Sequence, residues 1–212
     1  MSSSPRRLAV VVPACLVLAG LAPAHVAHAQ AAGTGDSYAG LVARAEAGDP
    51  STDFRALRFA WLDSAEHRSA PPAGAEKAMR DAAAAADNAK VRDAAEQVIS
   101  ARYVDLEAHM MRRLACVALQ ESECAEHEHF VEFGLLKSIL DSGDGKTAAS
   151  AWHVASIDEE YFVMHIAQVT LKQQALIQQN GRTYDQLTVT DAKGADKAMW
   201  FDITDFFGKA LG

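Results

Sequence analysis

The chain has 212 residues, half of them apolar, with 20 basic against 28 acidic side chains and a formal net charge of −8. That length and apolar share suit one folded domain with a sizeable core. The acidic balance argues against nucleic acid and against an anionic membrane surface as partners.

Arg6 and Arg7 precede a mostly apolar run, Leu8 to Leu21, that Pro13 interrupts. Ala27-His28-Ala29 then supplies small residues at the −3 and −1 positions of a cleavage site. The pattern predicts a secretory signal over residues 1–29, removed after Ala29. The run is too short and too broken for a stable span, so the mature chain is expected to carry no transmembrane segment. A rival reading has Cys15 lipidated, but Val12 and Pro13 suit that cleavage poorly. A periplasmic or secreted location is the expectation. Residues 30–36 are small and polar and read as a disordered leader.

Tyr38, Leu41, Val42 and Ala45 share one helical face, and Gly48-Asp49-Pro50 ends that helix. Phe54, Leu57, Arg58, Trp61 and Leu62 repeat the 3.6-residue period before Pro71-Pro72. Residues 75–86 are alanine-rich and favour a helix by propensity. Val91, Ala94, Ala95, Val98 and Ile99 form the stripe of the next helix. Residues 104–119 follow, with Leu106, Met110, Leu114 and Val117 expected to face inward. With the helix expected over 123–140, six such segments in antiparallel order resemble a helical-repeat stack, without a fixed repeat length.

After signal removal Cys116 and Cys124 are the two remaining cysteines. On one straight helix, eight residues span about 12 Å and keep them apart. A corner within residues 118–123 would let them meet, and an oxidising compartment favours a disulfide. No CxxC pair or four-ligand cluster occurs.

The helix over 123–140 is expected to bury Phe130, Phe133, Leu136, Ile139 and Leu140, and to point Glu126, Glu128 and Lys137 outward. The loop Asp141-Ser142-Gly143-Asp144-Gly145-Lys146 follows. It lacks the EF-hand spacing, with Trp152 at the twelfth position, and it lacks a phosphate loop's spacing. A turn with a helix cap is the reading it supports. Residues 152–157 alternate as a strand, and Asp158-Glu159-Glu160 opens a short helix through Ile166 with acids at its positive end. Residues 169–178 fit either a strand or a helix. Asn180-Gly181 is a hairpin turn signal. Tyr184, Leu187 and Val189, then Met199, Phe201 and Ile203, mark two more strands. The expected fold is α+β: an antiparallel helical array over 37–141, then a small antiparallel sheet over 147–207, in a single domain spanning 37–212.

These pieces resemble a known family of exported bacterial proteins, the domain-of-unknown-function family 4919. The matching segments are Gly48-Asp49, Asp53-Phe54-Arg55, Leu57-Arg58, Ala108-His109, His129, Gly134-Leu135 and Ser138-Ile139. They continue with Ser142-Gly143-Asp144-Gly145, Asp158-Glu159-Glu160-Tyr161, Tyr184-Asp185 and Trp200-Phe201-Asp202. Many relatives carry Tyr-Phe-Asn at the last of these. The resemblance implies export and one domain, and brings no activity with it.

Two functional readings follow. The first is a non-catalytic envelope or interaction protein, with a protein partner in the envelope. It predicts an exposed apolar groove between helices. The second is a small hydrolase, metal-dependent in one form, using His109, His129 and Glu159 or Glu160. Two histidines and a carboxylate are adequate zinc ligands if the fold brings them together. Arg55 and Arg58 are expected to anchor carboxylates such as Asp144 or Glu160, as structural glue or as a binding pair. There is no GxSxG elbow and no nucleophilic serine or cysteine in a convincing setting. No cofactor is expected.

Overall fold

The computed structural model describes residues 37–68 and 74–209. The expected signal, the leader, Cys15, the Pro71-Pro72 break and residues 210–212 lie outside them. Six helices come first: α1 (Tyr38–Glu46), α2 (Phe54–Asp63), α3 (Ala75–Ala84), α4 (Asn88–Ala101), α5 (Leu106–Leu119) and α6 (Ser122–Leu140). Then come β1 (Trp152–His153), α7 (Ile157–Ile166), β2 (Thr170–Gln179), β3 (Arg182–Thr190), β4 (Asp196–Asp202) and α8 (Thr204–Phe207). The fold is α+β, a helical array followed by a four-stranded sheet.

Five helix starts are fixed by short polar side chains. Ser37, Asp53, Asp87, Asp105 and Ser156 each accept a hydrogen bond from the backbone N–H three residues on. Such caps satisfy donors that the helix itself leaves unpaired. Within α2 and α4 the buried faces are those the periodicity marks: Leu57, Arg58, Trp61 and Leu62, then Val91, Ala94, Ala95, Val98 and Ile99.

α5 and α6 depart from expectation. In α5, Leu114 and Val117 are exposed, while Ala108, His109, Ala115 and Cys116 are buried. In α6, Phe133 and Leu140 are exposed, and Glu128 and Glu132 are buried beside Val131, Leu135 and Ile139. Ion pairs across the helix interface account for the buried acids of α6. Arg112 pairs with Glu128, and Arg113 Nε lies 2.5 Å from Glu132. A carboxylate with a cationic partner across an interface can be buried, and periodicity alone does not show the partner.

The sheet order is β1-β4-β3-β2. β2 and β3 form a hairpin whose turn residues, Asn180 and Gly181, have φ of 53° and 73°. Two consecutive positive φ values match the turn that follows strand twist. β4 pairs antiparallel with β3 and parallel with β1. The sheet is mostly antiparallel, as expected, with one parallel pair: α7 and the hairpin intervene between β1 and β4, long enough for a crossover. β1 is only two residues, because Ser156 caps α7 where the strand pattern would continue.

Buried side chains form one cluster from Leu41 in α1 to Phe206 in α8. Among the described residues, no helix is long and apolar enough to cross a membrane.

Candidate functional site

Arg58, the fifth residue of α2 and part of its apolar stripe, is fully buried. Its Nη1 donates to Glu159 Oε2 at 2.6 Å and its Nε donates to Ser138 Oγ at 2.8 Å. Nη1 and Nη2 also donate to the His153 carbonyl at 3.3 and 3.2 Å. One guanidinium thus ties α2 to α6, β1 and α7. Glu159 Oε2 accepts a further hydrogen bond from Ala155 N at 2.7 Å. Burial pushes the Glu159 carboxyl up, and the Arg58 charge and the Ala155 N–H oppose it without cancelling it.

Glu160, the expected partner of Arg58, is on a different side of α7. Consecutive helical residues point about 100° apart, so only one of the two acids can meet the arginine. Glu160 is 2% exposed and its Oε1 has no hydrogen-bond partner. Burial first, then the charges of Asp185 and Glu159, push its carboxyl up to about 9. It is therefore a neutral acid at pH 7. Asp185, also buried, accepts from Gln174 Nε2 at 2.8 Å, and burial raises it as well.

The metal reading is corrected. His109 is fully buried, with Nε2 2.7 Å from the Tyr103 carbonyl oxygen and Nδ1 2.5 Å from Glu128 Oε2. A carbonyl only accepts, so Nε2 carries hydrogen and donates. Neither ring nitrogen is left to face a metal. Burial pushes the Glu128 carboxyl up, but the hydrogen bonds and charges of His109 and Arg112 outweigh it and hold it low. His129 is exposed and packs near the Phe133 ring, 5.9 Å between centroids. The structure does not bring His109, His129 and the α7 acids together.

Among the described residues, the one His/Cys/Asp/Glu group close enough to share an ion is Cys116, Glu121 and Cys124. Its two sulfurs are bonded to each other in the structure, with Cα atoms 5.9 Å apart. The turn between them passes through Gln120, at φ 63°.

Asp144 is not held by Arg55 or Arg58. It is exposed and bonds within its own loop, to Ser150 Oγ at 2.6 Å and to Lys146 Nζ at 2.9 Å. The Ser150 hydroxyl and then Lys146 hold its carboxyl well below the usual range. The backbone anchors the loop. Asp144 N and Gly145 N donate to Ser150 O, Trp200 N donates to Gly145 O, and Trp152 Nε1 donates to Gly143 O. Gly145 has φ 65°, and a Cβ there would lie 2.4 Å from the Trp152 ring.

Arg55 instead points to His153, Nη2 to Nδ1 at 3.4 Å, while His153 Nε2 lies 3.6 Å from Asp202 Oδ2. His153 carries no sequence signal, since a single histidine in a two-residue strand leaves no periodic trace. Burial lowers its basicity, and Arg182 and Arg55 add to that while Asp202 opposes it. The hydroxyls nearby are committed. Ser142 Oγ donates to Ile139 O and accepts from His153 N; Ser138 Oγ donates to Leu135 O and accepts from Arg58. Thr204 Oγ1 donates to Asp202 Oδ1 and accepts from Thr183 N. None of these three hydroxyls bonds to the His153 ring, so they do not give the imidazole–carboxylate pair the base–nucleophile contact of a hydrolytic triad.

Beside this cluster an open groove of about 550 Å³ runs between α2 and α6, lined by Phe54, Arg55, Phe130, Phe133 and Lys137 among others. Phe54 and Phe130 meet edge-on at 5.4 Å between centroids. Gly134 makes room for them, since a Cβ there would lie 2.2 Å from the Phe54 ring. Phe133 is 56% exposed at the rim.

The family model described as Domain of unknown function (DUF4919) matches residues 38–210, and the chain belongs to that family. No curated protein and no solved structure matches the chain.

Proposed function

We propose that this family member is a non-catalytic exported protein that binds a protein partner in the cell envelope. The open groove between α2 and α6 carries this reading, with Phe133 exposed at its rim. Exposed Phe133 with half-buried Phe54 and Phe130, beside Arg55 and Lys137, makes an anchor for an apolar segment with a polar border. The ionisable groups nominated for chemistry support the same reading from the other side. Arg58, Glu159, His109 and Glu128 spend their hydrogen bonds on one another and on the backbone, which is the behaviour of structural glue. Export is supported by Arg6-Arg7, the apolar run after them and Ala27-His28-Ala29.

A photoreactive phenylalanine analogue at Phe133, compared with one at exposed Lys197, tests the reading in cells. The expected result is an adduct of one defined mass, to a different protein, at position 133 and none at 197. Equal labelling at both positions, or turnover of ester or peptide substrates by the purified wild type, would overturn it.

A further inference from the structure

Among the described residues, β2 is the outer strand of the sheet and pairs only with β3. Its free edge offers a row of main-chain N–H and C=O groups, and seven of its ten residues are exposed. Edges of this kind are normally blunted by charge, proline or a bulge. Here those devices sit at one end: the register shifts between Leu171 and Gln173, at exposed Lys172. From Gln173 to Gln179 there is no charged residue, no proline and no irregularity.

That stretch reads Gln173-Gln174-Ala175-Leu176-Ile177-Gln178-Gln179. In residue character it is the same in both directions about Leu176. We propose that a second copy of this chain pairs antiparallel along this edge, about a two-fold axis at Leu176, and makes one continuous sheet. A two-fold interface presents the same patch from each copy, so a strand that reads alike in both directions is self-complementary.

Each residue then meets its own kind. Leu176 lies beside its counterpart, Ala175 faces Ile177, Gln174 faces Gln178, and Gln173 faces Gln179. Leu176 is opposite Asp185 and so shares the face of Leu187 and Val189. Those two are buried, while Leu176 is 51% exposed. A second Leu176 beside it covers the apolar surface that the single chain leaves open. Gln174 already donates its amide to Asp185, which leaves its Oε1 to accept from Gln178 of the second copy. On the opposite face, Ala175 and Ile177 extend the patch formed by Tyr184 and Trp200, whose rings stand 6.2 Å apart. A slip of one residue would turn the apolar side chains to the wrong face, so this register is favoured over its neighbours.

The test uses protein expressed from the full-length gene and purified without truncation. Sedimentation should give a dimer at micromolar concentration. Leu176→Glu, which sets two carboxylates side by side on the axis, should weaken association at least tenfold with an unchanged circular-dichroism spectrum. Single cysteines read the register. Antiparallel partners lie about 4.5–5.5 Å apart at Cα, within disulfide reach. Leu176→Cys should therefore cross-link to itself on mild oxidation. Gln174→Cys should not, because the two copies of residue 174 would be four residues apart along the strand, about 13 Å. A wild type that stays monomeric to about 100 μM, a dimer indifferent to Leu176→Glu, or equal cross-linking at both positions would overturn the proposal. Capture of a different protein's strand by a monomeric wild type would do so too.

Discussion

Arg58 and Glu159 sit 2.6 Å apart, with the arginine side chain wholly out of solvent and the glutamate 4% exposed. A buried pair of this kind gains little over an apolar substitute, but removing one partner strands a charge. Arg58→Ala should destabilise the fold by about 3–5 kcal/mol. Glu159→Gln also strands a charge, since the guanidinium cannot shed its proton, and should cost about 3–5 kcal/mol as well. Denaturant unfolding of both variants measures the two losses. An Arg58→Ala loss under about 1 kcal/mol would show that the pair is not buried in solution.

The α2 pattern marks Arg58 as an anchor for an acid, and the acid it meets is Glu159, not Asp144 or Glu160. Periodicity cannot rank partners that are distant in sequence. The same limit explains α6. Its Phe133 and Leu140 suited a buried face, yet His109, Arg112 and Arg113 of α5 draw Glu128 and Glu132 inward instead. Where the outcome follows from one element's own pattern, as in the buried face of α4 or the geometry of the Asn180-Gly181 turn, the sequence sufficed. Where it depends on pairing between elements, it did not.

Cys116 and Cys124 are joined across the α5–α6 corner in the structure. In the exported protein, thiol titration of unfolded, unreduced material should find neither free. Loss of the bond in a Cys116→Ser, Cys124→Ser variant should cost about 2–3 kcal/mol, the chain-entropy value for so short a loop. Two free thiols in the wild type would place the protein in a reducing compartment and weaken the export reading with it.

The 142–146 loop gives two contrasting substitutions. Asp144→Ala removes an exposed side chain that bonds only to Ser150 and Lys146, and should leave the unfolding midpoint close to wild type. Gly145→Ala demands φ 65° of a residue with a Cβ and drives that Cβ into Trp152. It should cost about 1–3 kcal/mol. The reverse order in thermal melts would mean that the carboxylate, and not the backbone, holds the loop.

Glu160 gives the pH dependence. Its carboxyl is buried against Asp185 and Glu159 and is raised to about 9, while an unfolded glutamate titrates near 4.3. Between those values the folded state holds a proton that the unfolded chain has released. Stability is therefore greatest below the unfolded value and falls as pH rises toward 9, at up to about 1.4 kcal/mol per pH unit. Asp185, raised in the same direction, adds to the slope at the acid end. Glu160→Gln keeps the shape without the titration, so it should remove most of the loss between pH 5 and pH 8. The variant should consequently be more stable than wild type by a few kcal/mol at pH 8, with little difference at pH 4.5. Urea midpoints at four pH values for both proteins decide it. Parallel curves for the two would show that Glu160 finds water or a partner in solution and ionises as an ordinary carboxylate.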